Sequence, residues 1–382
     1  MNRARITAGV SASAGMALAL GLAAAPAAGA QTRGTSAKFT VIASHLSNPR
    51  GLSRAPGGGL YLAEAGSGGK ACVSGGPEGT TCIGLTGSFD IVGKNGIRRI
   101  VTGLISASDK GGTAAEGPVS VSRSRGGFYG LFGLNSHVVP PKGAIPARLR
   151  QKALAQLGRL WFVRPHGQVT SVSDVGDQDW VWSLHHKKLA PRDFPDANPN
   201  AVLASRGQRY VVDAGANILV RVARNGTAKL VAFFRVPAHS QSDSVPTCVA
   251  RGPDGALYVG ELLGGSFRPG HARIWRVVPG HAPKVWARGL TAVQGCGFGK
   301  NRAFYAVEFQ TGGLGAKNPA GDVVRIARNG HRTRLGVGKL FFPSGFAAGA
   351  NGSIYVSNCS IAPATGMGAQ LCPDGGQVVR IG

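Results

Sequence analysis

The chain has 382 residues, 43 Lys and Arg against 17 Asp and Glu, a formal charge of +26, 60 glycines and six cysteines. Such a charge predicts non-specific attraction to polyanions such as anionic cell-wall polymers. It is spread along the chain without a basic block, and no recognition motif or cluster of base-stacking aromatics accompanies it, which excludes a specific nucleic-acid reader. Past the first 30 residues no apolar run approaches the length of a transmembrane helix.

Residues 1–30 open on Arg3 and Arg5, continue through a small-residue apolar run and end on Ala28-Gly29-Ala30. This is the pattern of a secretory signal with an A-x-A-like cleavage site. A membrane anchor is the alternative, which the Ala-, Gly- and Ser-rich run fits less well. Residues 31–382 then form one domain, exported and outside the cytoplasm.

That domain repeats itself six times. The template "VPTCVARGPDGALYVGEL" (245–262) has counterparts starting at Asn48, Gly117, Asn198, Val293 and Phe342, each reading strand, Gly-rich turn, strand. All six tyrosines fall at one register position: Tyr61, Tyr129, Tyr210, Tyr258, Tyr305 and Tyr355. A second hairpin follows each of the first five anchors. Three of these turn at Asn-Gly (Asn95-Gly96, Asn225-Gly226, Asn329-Gly330), which predicts type I′ turns. Four antiparallel strands per unit, repeated radially, predict an all-β, six-bladed β-propeller. The sixth unit is one strand short, and "FTVIASHLSNPRG" (39–51) aligns with "KVWARGLTAVQG" (284–295). The N-terminal strand is therefore expected to complete the last blade and close the ring, removing exposed sheet edges.

Two insertions break the period. Residues 143–158 predict a short helix, with Pro146 near its start and Gly158 at its end. Residues 174–199 read as a long loop of the kind that is often functional. His185 and His186 lie within it, with no spaced partner that suits a metal. The six cysteines of an exported chain are expected to be bridged. Cys72 and Cys82 sit in one Gly-rich loop, Cys359 and Cys372 in another, and Cys248 and Cys296 remain as a pair.

Strands alternate in direction, so both cysteine loops, the helix and the 174–199 loop belong to one face of the ring. So does the residue ending each second strand: Glu64, Phe132, Asp213, Glu261, Glu308 and Asn358. Glu116 and Asn198, in blade-to-blade links, share that face. One reading makes Glu116, Asn198, Asp213, Glu261 and Glu308 oxygen ligands for a divalent cation such as calcium. The other has each strand-end acid accept backbone N–H bonds from the loop it precedes. Repeated placement suits a repeated structural job better than a single site.

The blocks "EGPVSV", "DANPNAVL", "YVVDAGANILVRV", "VPTCVARGPDGALYVGEL" and "GHARIWRVV" resemble the ScyD/ScyE family of exported proteins across essentially the whole mature chain. The resemblance implies a six-bladed, TolB-like propeller outside the cytoplasm and no settled reaction. A second likeness is to the SMP-30/gluconolactonase propellers, in which the Glu of an E-G-P motif and an Asn and Asp on later blades hold a divalent metal. Glu116 matches that Glu and Asn198 falls where the Asn would, whereas Asp243 is out of register. The expectation is a non-catalytic module that binds a small molecule or protein on the elaborated face. The alternative is a metal-dependent lactonase or ester hydrolase.

Overall fold

A computed structural model describes residues 37–76, 79–235, 243–265 and 267–382, and the expected signal segment, residues 1–30, lies outside them. Each anchor forms the first two strands of a sheet and each following hairpin the outer two. Blade 4 shows the unit: Pro246–Arg251, Leu257–Glu261, Ala272–Val277 and Lys284–Leu290, paired antiparallel in chain order. Six such sheets make a six-bladed β-propeller. The N-terminal strand Phe39–Leu46 pairs with Gly376–Ile381 and completes the sixth blade, as the matching half-units predict.

The shared tyrosine register has a packing cause. Tyr61 lies 4.4 Å from Phe128 of the next blade, Tyr258 lies 4.9 Å from Phe298, and Tyr305 stacks on Phe346 at 5.6 Å. Each ring thus bridges one blade to the next, supplying the aromatic area that holds neighbouring sheets face to face. Nearer the axis the inner strands approach too closely for side chains. A Cβ on Gly295 would lie 2.0 Å from the Ser344 carbonyl oxygen, and one on Gly345 2.2 Å from that of Arg50.

The Asn-Gly turns differ from expectation. Asn225 and Asn329 keep negative φ, and only the glycines, Gly226 at 87° and Gly330 at 83°, are left-handed. Gly226 N–H donates to the Ala223 carbonyl and Ala223 N–H to that of Thr227. That is a three-residue loop, a type I turn closed by a left-handed glycine, rather than type I′. The Asn225 side chain accepts from Thr227 N–H at 3.2 Å, and Asp254 does the same for Ala256 N–H in the first turn of blade 4. One Asx device therefore serves both hairpins.

The 143–158 insertion forms α1 (Ala147–Gln156) as predicted. Residues 174–199 are not the long loop that the sequence suggests, because they contain α2 (Val175–His185) and a 3-10 turn. Trp180, Val181, Trp182 and Leu184 crowd together without a helical stripe, so no period announced it. Tertiary contacts hold the helix instead: Asp174 caps the Asp177 N–H, and Trp182 packs 5.9 Å from both Phe194 and Phe233. His185 and His186 end α2 in solvent, with His186 stacked on Trp182 at 4.4 Å.

The disulfides are Cys72–Cys82, Cys248–Cys296 and Cys359–Cys372. The first is not in an irregular loop. Ala71–Gly76 pairs with the long strand Gly79–Gly93, putting Cys72 opposite Cys82 and giving blade 1 a fifth strand. Three disulfides mark an oxidising, extracytoplasmic environment. Among the described residues no helix is long and apolar enough to cross a membrane.

Candidate functional site at the channel mouth

The six second strands end on Glu64, Phe132, Asp213, Glu261, Glu308 and Asn358, all buried. Their donors lie mainly in the link before the blade, not in the loop after the strand. Glu64 accepts from Ser47 N–H at 2.5 Å, Asp213 from Asn198 N–H at 2.7 Å, Glu308 from Thr291 N–H at 2.7 Å and Asn358 from Phe341 N–H at 2.8 Å. Asp213 alone also takes an N–H from the following loop, that of Ala216 at 2.8 Å. In these four blades the oxygens fasten the entry to the second strand and satisfy donors that would otherwise be buried unpaired.

Arginines compensate most of this buried charge. Arg99 lies 3.1 Å from Glu64 and 3.5 Å from Asp90. Four blades on, Arg334 pairs with Glu308 at 2.7 Å and also contacts Asp322. Glu261 pairs with Arg273 and accepts from Trp275 Nε1 and Ser244 Oγ, both at 2.8 Å. Burial pushes the Asp90 carboxyl up to about 9, helped by Glu64 beside it and opposed by Arg99. Burial and the Asp322 charge push Glu308 up to about 7, against the pull of Arg334. Glu261 and Glu308 thus stand inside the blades, away from the axis.

Blade 2 departs from the pattern. Its slot holds Phe132, and its link carries Glu116. Gly117 there accepts from Gly133 N–H as Asn48 accepts from Ala65 N–H in blade 1, so Glu116 stands where blade 1 has Ser47. Glu116 and Asn198 line a cavity of ≈ 50 Å³ at the axis together with Arg50, Asn200, Thr247 and Gln294. Val245, Leu262, Phe309 and Ile361 form its apolar rim. Gly133 is pressed between the first two: a Cβ there would sit 3.1 Å from Asn198 Oδ1 and 3.3 Å from Glu116 Oε2. Asn198 Oδ1 already accepts from Leu134 N–H at 2.8 Å.

Arg50 donates to the Ala115 carbonyl at 2.7 Å. Burial lowers its pKa, and the neighbouring Glu116 charge opposes that. Of the five candidate oxygen ligands, the fold brings Glu116 and Asn198 to the mouth. Asp213 stands behind Asn198, and Asp243 binds Asn217 Nδ2 at 2.8 Å away from the cavity. Sequence reasoning missed Arg50, Asn200, Thr247 and Gln294. A signal was present: each follows the residue that opens an inner strand, proline in Pro49, Pro199 and Pro246, at one register of the repeat.

Behind the mouth, Asp179 of α2 meets Asp213 within hydrogen-bonding reach, and Asp196 lies close by. Burial and the Asp213 charge hold Asp179 well above the usual carboxyl range, and the same causes push Asp196 up to about 8. Among the described residues no three His, Cys, Asp or Glu side chains are grouped so that they could hold a metal ion.

The fold is shared with solved enzyme structures. A glucose dehydrogenase matches with a TM-score of 0.53 at 11% identity, covering 90% of this chain and 99% of its own. A candidate oxidoreductase of glucose dehydrogenase type from Thermus thermophilus matches with a TM-score of 0.52 at 12% identity, with the same coverage. A candidate gluconolactonase covers 91% of this chain and 93% of its own at 12% identity, with a TM-score of 0.49. These likenesses are of fold. No protein-family model and no curated protein matches the sequence.

Proposed function

We propose that this chain is a secreted propeller of ScyD/ScyE kind that binds a small polar ligand, or a polar group projecting from a partner, at the channel mouth. The carrying observation is the set of Arg50, Glu116, Asn198, Asn200, Thr247 and Gln294 around one small cavity with an apolar rim. Convergent hydrogen-bonding groups in an apolar frame are the usual make-up of a ligand site. The cavity's ≈ 50 Å³ admits a group of few atoms, so a larger partner would engage the surrounding insertions.

The alternative, a metal-dependent lactonase, asks for a divalent cation held by Glu116 and Asn198. The donor set fits it poorly. The mouth offers one carboxylate, and the Arg50 guanidinium beside it repels a second cation. Asn198 Oδ1 is engaged by the Leu134 N–H.

The test is thermal-shift screening of the purified chain against sugars, sugar acids and amino acids, with lactone hydrolysis assayed in parallel. Hits that disappear in Arg50→Ala, with no lactone turnover, are the expected result. Turnover of glucono-δ-lactone that needs a divalent metal and is lost in Glu116→Gln would overturn the binding-module reading.

A further inference from the structure

Among the described residues, five of the eight buried carboxyls are paired with arginine: Glu64 and Asp90 with Arg99, Glu261 with Arg273, Glu308 and Asp322 with Arg334. Asp179, Asp213 and Asp196 are the other three. They are 2%, 0% and 8% exposed, and among the described residues no Lys or Arg forms an ion pair with any of them. In a chain carrying 43 basic side chains this is not for want of cations.

Asp213 Oδ1 takes the N–H groups of Asn198 and Ala216, whereas its Oδ2 has no donor. Asp179 Oδ2 has none either. The two carboxyls are nonetheless within hydrogen-bonding reach of each other. Asp196 is held near Asp213 by the turn that follows it: a Cβ on Gly215 would lie 2.8 Å from the Asp196 carboxyl carbon, so only glycine permits the approach. Buried anionic oxygens without donors are costly, and a positive charge between them removes that cost.

We infer that Asp179 and Asp213, backed by Asp196, form a site for one hard divalent cation of the calcium class. Two carboxylates supply its charged ligands, and carbonyl oxygens and water complete a shell that calcium accepts in flexible geometry. This is why no three acidic side chains need converge. A proton shared by Asp179 and Asp213, with Asp196 also protonated, is the alternative occupant of this space, and the experiment below separates the two. The ion ties α2 to blade 3 and to the link ahead of it. Asn198, bonded through its N–H to Asp213, is thereby held at the channel mouth. The inference is independent of what the mouth binds.

Terbium, a calcium surrogate, tests it on the full chain after chelator treatment, because Trp180 and Trp182 follow Asp179 closely in α2 and can sensitise its luminescence. The expected result is saturable emission at one ion per chain, displaced by calcium and weakened at least ~10-fold in Asp179→Asn, with Glu116→Gln unaffected. Calcium at ~100 times its Kd should raise the Tm by about 3 °C or more. No emission and no Tm response to millimolar calcium would overturn the site in favour of a shared proton. Emission kept in Asp179→Asn but lost in Glu116→Gln would overturn it by placing the ion at the mouth. Should Asp179→Asn fail to fold, Asp196→Asn is read in its place, and undiminished terbium affinity there overturns the inference.

Discussion

The carboxylate of Glu308 meets the guanidinium of Arg334 at 2.7 Å, and Glu64 repeats that contact with Arg99 at 3.1 Å in blade 1. In each blade a second acid, Asp322 or Asp90, shares the arginine. One guanidinium thus serves two buried carboxyls, and one of each pair keeps its proton near neutrality.

Stability should therefore fall as pH rises. Asp90 is raised to about 9 and Glu308 to about 7, both above their unfolded values, so the folded chain binds these protons more tightly. Their contribution is fully present below the ordinary carboxyl range and is lost as pH climbs through about 7 and then about 9. Thermal unfolding from mildly acidic to mildly alkaline pH checks this, and Asp90→Asn should flatten the decline. A Tm that rises across that range would contradict the pairing.

Glu261→Gln should be the most damaging substitution among the strand-end acids. It leaves Arg273 buried without its counter-charge and weakens the acceptor for Trp275 Nε1 and Ser244 Oγ. Breaking a buried pair from one side costs about 3–5 kcal/mol. Denaturant midpoints of the variant and of Glu261→Gln with Arg273→Met should show part of the loss recovered in the double variant.

Deleting residues 39–46 removes the strand that pairs with Gly376–Ile381 and exposes an open sheet edge in blade 6. The expected outcome is a lower unfolding temperature and concentration-dependent association, read by thermal scanning and light scattering. An unchanged midpoint would mean that closure carries no stability.

Among the disulfides, Cys248–Cys296 should matter most to stability. It spans 48 residues and joins the inner strands of blades 4 and 5, against a span of 10 for Cys72–Cys82. Chain-entropy reasoning assigns about 4 kcal/mol to the longer loop and about 3 to the shorter. Paired Cys→Ser variants compared by denaturant titration measure the difference.

Much of this architecture is legible in one dimension because a propeller repeats. The anchors from Asn48 to Phe342, the tyrosine register and the missing sixth-blade strand are local patterns, and each survives translation along the chain. Residues 37–382 thus declare six blades and their closure without any knowledge of distances. Neither the turn type at Asn225-Gly226 nor α2 was legible. The first depends on how the flanking strands twist, and the second on Trp182 finding Phe194 and Phe233.

The candidate site divides the same way. Sequence alone determined that acids recur at the ends of second strands, and it singled out Glu116 and Asn198. Only the tertiary structure decided which oxygens are used up by backbone donors, because those donors sit 15 to 17 residues away, across a hairpin. It also decided that Arg50, Asn200, Thr247 and Gln294 meet at one mouth, and that Asp179 reaches Asp213 from the 174–199 insertion. Radial closure brings residues together that no sequence period relates. A repeat can announce the blades, but what gathers at their common axis depends on the ring.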